Sequence, residues 1–159
     1  MKNTNKWALG AMFTLVLAGG YWGLSQFATP QAEEQTGLLP YKNASVIATG
    51  QKIYQANCAA CHGNDLQGEA NWKQPKPSGR MPAPPHNETG HTWHHSDELL
   101  FNLTKYGIAR LSNNPNYQTD MPIYEDILSD DEIIAVLAYI KSNWPTEVQQ
   151  RHDQINAGS

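Results

Sequence analysis

Residues 58–62 read Cys58-Ala59-Ala60-Cys61-His62. Two cysteines separated by two residues and followed at once by histidine form the attachment signature of c-type haem. The spacing has a physical reason. Two thiols must add to the two vinyl groups on neighbouring edges of a porphyrin, and two intervening residues let one turn of backbone span that gap. The next residue then directs its imidazole at the iron. Competing chemistries fit less well. A thioredoxin-type CxxC expects a βαβ setting, and the chain shows no alternating strand pattern of useful length. A four-ligand zinc site needs a second ligand pair, and the chain has 2 cysteines in all. A plain disulfide leaves His62 without a role. The motif predicts one covalently attached haem c, with Cys58 and Cys61 as the attachment points and His62 as the proximal iron ligand.

The sequence around the motif reads as helices and one long irregular wrap. Upstream, Asn43 or Ser45 can cap a helix, and Val46, Gly50, Ile53 and Tyr54 recur at helical spacing before Cys58. Downstream, Gly63 to His95 is nearly aperiodic and holds Pro75, Pro77, Pro82, Pro84 and Pro85. A stretch of this length without structure of its own is unusual inside a domain unless it wraps something. Ser96 then caps a second helix, with Asp97 and Glu98 in its first turn, where negative charge suits the helix dipole. Leu99, Leu100 and Leu103 form its apolar face and Gly107 its C-cap. Ser129-Asp130-Asp131-Glu132 is a capping box, and Ile133, Val136, Leu137 and Ile140 follow at i, i+3, i+4 and i+7. Trp144-Pro145 closes this third helix. The expected fold class is all-α, with three or more helices wrapped around one covalently bound haem in a domain over residues 43–145. Residues 146–159 read as a polar tail that frays.

The chain of 159 residues suits one such domain. It has 11 basic and 15 acidic residues, a net charge of −4, which argues against nucleic acid as a partner. Lys2 and Lys6 precede the uncharged stretch Trp7 to Leu24. As a helix that stretch would span roughly 27 Å at about 1.5 Å per residue, close to a bilayer core of about 30 Å. Residues 1–24 are therefore expected to be a transmembrane anchor or a cleaved secretory signal. Cleavage sites are poor, since Ala18-Gly19-Gly20 is followed by Tyr21 and Pro30-Gln31-Ala32 has proline badly placed. Either reading puts the domain outside the cytoplasm, where bacteria attach haem c. Residues 25–42, punctuated by Pro30, Gly37 and Pro40, read as a linker.

From about Ala44 to Trp144 the chain resembles the class I (mitochondrial-like) monohaem cytochrome c family. The resemblance rests on a first helix running into Cys58-Ala59-Ala60-Cys61-His62-Gly63, the Met121-Pro122 pair, and the final amphipathic helix. Gly50 with Tyr54 resembles the small-residue face of the family's first helix, and Tyr139 the aromatic residue on the last helix that crosses it. Gly90-His91-Thr92-Trp93-His94-His95-Ser96-Asp97, with Leu128-Ser129-Asp130, resembles a bacterial subgroup of small exported cytochromes. The resemblance also implies that His62 Nδ1 donates to a proline carbonyl in the run Pro82-Ala83-Pro84-Pro85.

The sixth iron ligand decides what the haem does. The candidates are Met81, Met121, His86, His91, His94 and His95. Met121 lies in an irregular loop just before the last helix, as the family's ligand does, and is the expected distal ligand. A thioether there favours the ferrous state and raises the potential. Trp72 and Trp93 can line the pocket, bond a propionate or simply pack. His91, His94 and His95 are a candidate second metal site only if their geometry converges. The acidic run Asp130, Asp131 and Glu132 is a helix start, or secondarily a docking edge for a basic partner.

These readings predict a single-electron carrier rather than an enzyme. It would sit at the periplasmic face of the bacterial inner membrane, anchored, or in the periplasm if the signal is cleaved. Its partners would be redox proteins: a dehydrogenase, a quinol-oxidising complex or a terminal oxidase. The rival is a haem enzyme or gas sensor, peroxidase-like, with an open sixth position. A third option is a dedicated electron-entry arm of a larger oxidase or dehydrogenase.

Overall fold

The computed structural model describes residues 37–158, apart from 113 and 115. The expected anchor or signal over residues 1–24, and the linker up to residue 36, lie outside the described residues. The described residues form six helices and no strand, as the all-α reading expects.

Helix α1 (Ala44–Asn57) starts where Asn43 Oδ1 accepts the backbone N–H groups of Ser45 and Val46 at 3.1 and 3.3 Å. Two donors that a helix start leaves without partners are thereby satisfied. Helix α5 (Asp130–Ser142) opens on the predicted capping box: Glu132 N donates to Ser129 Oγ and Ser129 N to Glu132 Oε2. Asp130 accepts from Lys105 at 2.6 Å. Two of the three acidic groups thus serve the helix start and its neighbour, which is the simpler of the two readings of that run. Helix α3 (Asp97–Tyr106) is capped by Ser96, and Gly107 at φ 78° ends it where a left-handed residue is needed. A short α4 (Ile108–Leu111) follows.

Helices α1 and α5 pack against each other more extensively than any other pair. Their crossing depends on Gly50. A Cβ there would fall on the carbonyl of Ala135 and 2.9 Å from Cβ of Tyr139. Only a residue with no side chain lets the two backbones come this close. The core around the crossing is Ile53, Tyr54, Ile133, Val136, Leu137 and Ile140, all buried. Full burial of one such aliphatic side chain contributes about 1.5–3 kcal/mol.

Two expectations about the domain's edges need correction. Residues 37–42 are not tether, because Leu39 and Tyr41 are buried in the core. Residues 146–159 are not a frayed tail, because Thr146–Ala157 forms helix α6 and its His152 is fully buried. Both segments dock through polar contacts, which leave no apolar stripe to read. Asp97 Oδ2 accepts from Leu38 N at 2.7 Å and Leu39 N at 3.2 Å. Asn156 of α6 bonds Asp97 in both directions. Buried Lys141 of α5 meets Asp153 of α6 at 2.6 Å, and Tyr41 Oη donates to the same carboxylate at 2.7 Å. His152 Nε2 donates to His95 O at 2.8 Å. A buried charge is retained only with such partners; here Asp97 ties both residues 38–39 and α6 to α3, and Lys141 ties α6 to α5.

Candidate functional site

The end of α1 continues almost directly into α2 (Ala59–His62), with Cys58 at the joint. Cys58 N bonds Tyr54 O at 2.8 Å, and His62 N bonds Cys58 O at 2.9 Å. Helical winding through the motif sets Cys61 and His62 three and four residues past Cys58, neighbouring positions on one helix face. Neither cysteine is paired in a disulfide, and Cys58 is partly buried while Cys61 is exposed.

His62 is buried, and its Nδ1 donates to Pro84 O at 2.9 Å. A carbonyl can only accept, so the proton sits on Nδ1 and the lone pair on Nε2. Burial holds the imidazole below its usual pKa. A neutral ring with Nε2 available is the form that ligates a metal. The resemblance left three prolines, Pro82, Pro84 and Pro85, as candidates for the accepting carbonyl, and the structure selects Pro84.

The proline-rich segment is folded tightly beneath His62. Gly68 N bonds His62 O, and Glu69 N bonds Ala83 O while Ala83 N bonds Glu69 Oε1. Leu66, buried at φ 62°, turns its carbonyl to His86 N at 2.8 Å. A bulky residue in this left-handed region is strained, and its burial and the bonds to its carbonyl hold it there.

His86 has a different place from the one considered in the sequence. Its ring stacks on that of His62, centroids 4.0 Å apart and planes 22° from parallel. Were His62 to hold the iron, a ring stacked on its flank would not be placed to hold it from the opposite side, which sets His86 apart from the other distal candidates. His91 stacks on Trp72 at 5.4 Å and His94 on Trp93 at 3.6 Å, while His95 meets the His91 ring edge-on at 5.6 Å. Trp93 Nε1 donates to Glu88 O, which commits it within the chain. Among the described residues no three His, Cys, Asp or Glu side chains converge to hold a metal ion. The second-metal reading of His91, His94 and His95 therefore finds no geometry to support it.

Met121 lies on the irregular segment before α5 and is 39% exposed. Asp120 beside it pairs with Arg80 and, at 3.7 Å, with Lys76, which also reaches Glu69 at 3.0 Å. Three residues on, Tyr124 is buried and donates its hydroxyl to Asn57 O at 2.8 Å. Met81 is similarly exposed. Leu99, Ile108, Leu111, Ile123 and Ile127 also keep apolar surface that the described chain does not bury.

Sequence reasoning missed three contributors. Trp144, read only as a helix terminator, donates Nε1 to His86 O at 2.6 Å. Thr92 is buried and bonds His86 Nδ1 at 2.8 Å. Glu69 braces the proline run. For Glu69 and Thr92 the available signal was their place inside the proline-rich wrap; Trp144, far from it in sequence, carried none.

Two thiols, an imidazole with Nε2 available and unburied apolar side chains together match the needs of a large, flat, apolar group attached covalently at the motif. The comparisons with known proteins agree. Residues 47–144 match the family model described as Cytochrome c. The cbb3-type cytochrome c oxidase subunit FixP of Sinorhizobium medicae (strain WSM419) is 21% identical over 119 residues. That alignment covers 75% of this chain and 37% of FixP, so the chain spans little more than a third of that relative. No solved structure matches the chain. The chain thus belongs to the cytochrome c family, as a class I monohaem c-type cytochrome that carries covalently bound haem c.

Proposed function

We propose that the protein is a single-electron carrier with haem c attached through Cys58 and Cys61, whose iron His62 and Met121 would hold. The observation that carries this reading is the His62 Nδ1–Pro84 bond. It fixes the tautomer and leaves Nε2 available beside the two thiols, within one helical turn. When bound, the haem supplies an iron that takes up and gives back one electron. The chain's own part is to keep the ring of His62 neutral, oriented and dry. Met121, on a segment tethered by Asp120 and Tyr124, provides a thioether that favours the reduced state.

The proposed location is the periplasmic face of the bacterial inner membrane, or the periplasm. Its support is the Lys2/Lys6 pair ahead of the apolar stretch 7–24. Among the described residues no helix is long and apolar enough to cross a membrane. The proposed partners are redox proteins of a respiratory chain: a dehydrogenase, a quinol-oxidising complex or a terminal oxidase. The likeness to an oxidase subunit favours the last of these.

The test uses the full-chain holoprotein. Potentiometric titration should follow a one-electron curve. The reduced protein should be oxidised rapidly by membranes containing a terminal oxidase and should not consume peroxide catalytically. Sustained peroxide turnover would replace the carrier reading with that of a haem enzyme.

A further inference from the structure

We propose that His86 is a positioning residue that fixes the ring plane of His62. The proposal rests on the reading of His62 as the proximal ligand. One hydrogen bond, Nδ1 to Pro84 O, fixes a point on the His62 ring and lets the ring rock about that N–H···O axis. A flat partner 4.0 Å away and 22° from parallel blocks the rocking.

The partner is itself held from several directions. His86 Nδ1 lies 2.8 Å from Thr92 Oγ1, which donates to Pro85 O at 3.4 Å. The 2.8 Å contact is the shorter of the two, and which atom donates in it follows the His86 tautomer. The two imidazoles are thus held beside consecutive prolines: His62 on Pro84 O directly, and His86 on Thr92, whose hydroxyl also faces Pro85 O. Proline at both positions fixes φ. Gly90 packs so closely that a Cβ would fall on the Pro85 carbonyl. His86 N donates to Leu66 O at 2.8 Å, and Trp144 Nε1 from the end of α5 closes on His86 O at 2.6 Å. A side chain needed only for volume would not require this much fixing. The orientation of an axial imidazole plane sets which iron d orbital it overlaps, so a neighbour that fixes the plane acts on the iron's electronic structure.

The experiment compares ferric holoprotein of wild type, His86→Leu, His86→Phe and Thr92→Val. Its readouts are electron paramagnetic resonance, haem-methyl proton shifts and a thermal melt. His86→Leu keeps apolar volume and loses the flat face. It should shift the largest g value and change the spread of the methyl shifts. His86→Phe keeps the flat face and should stay near the wild type. Thr92→Val should fall between them and broaden the lines. Wild-type g values and methyl shifts in His86→Leu would overturn the proposal and leave His86 as packing alone. If His86→Leu does not fold, a Thr92→Val spectrum identical to wild type has the same consequence. Selective ¹⁵N-histidine labelling of the wild type separates the two levels. A strongly paramagnetically shifted His62 ring supports the ligand reading, and its absence would overturn that reading together with this one.

Discussion

His62 is buried, bonded to Pro84 and stacked on His86, whereas Met121 is 39% exposed and its segment is strapped by Arg80 and Lys76 to Asp120. The first set of contacts is short-range and largely shielded from water. The second is made of half-exposed ion pairs, which salt screens and which contribute little each. The contrast teaches that the two sides of the site have different stiffness. Under the proposed ligation, the His62 side would be the one built to stay still, and the Met121 side the one where the site would open.

The largest disruption should come from destroying what both sides share. Gly50→Leu drives a side chain into the Ala135 carbonyl. Its cost should reach or exceed the roughly 1–3 kcal/mol typical of overpacking, read as a large drop in melting temperature and poor haem incorporation. Next is Met121→Ala, which removes an exposed side chain and should change the melt far less than Gly50→Leu. It should nevertheless let carbon monoxide bind the ferrous protein and lower the potential. Unchanged low-spin spectra in that variant would remove Met121 from the account.

A third prediction concerns α6, outside both walls. Burial, then the Lys141 ammonium, lowers the His152 pKa against the opposing pull of Asp97. A histidine whose folded pKa is depressed binds its proton more readily when unfolded. Stability is therefore full above the unfolded value near 6.5 and falls as pH drops below it. The slope from this one group is at most about 1.4 kcal/mol per pH unit. Melts from pH 7.5 to 5 should show that loss, and His152→Gln should make it shallower, the remainder belonging to the other buried histidines such as His86.

The smallest effect is on the strap. Asp120→Asn should leave the melt nearly unchanged but speed displacement of the distal thioether by added imidazole up to a few-fold. Raising salt should speed the wild type in the same direction and leave Asp120→Asn nearly indifferent. A salt response equal in both proteins would mean that the ion pairs do not hold the distal segment.

Much of this molecule was legible in the chain because its signals are local. The haem motif, the Asn43 and Ser129 caps, and Gly50 at a helix crossing each occupy a few consecutive or periodic residues. The proximal wall was legible only as a proline-rich wrap. Choosing Pro84, and finding His86 against His62, requires knowing how that wrap folds over positions twenty-odd residues upstream. Helix α6 and residues 38–41 were misread for another reason. They dock through Asp97, Lys141, Asp153 and Asn156, and polar docking has no periodicity to detect.

The most direct test of the central claim, the proposed ligation of the haem iron by His62 and Met121, is the absorption spectrum of the full-chain holoprotein, oxidised and reduced, with and without carbon monoxide. The account predicts low-spin spectra in both states, a far-red sulfur-to-ferric-iron band and no change with carbon monoxide. A high-spin spectrum, or a carbon monoxide shift in the wild type, would contradict it and mean that the sixth position is open.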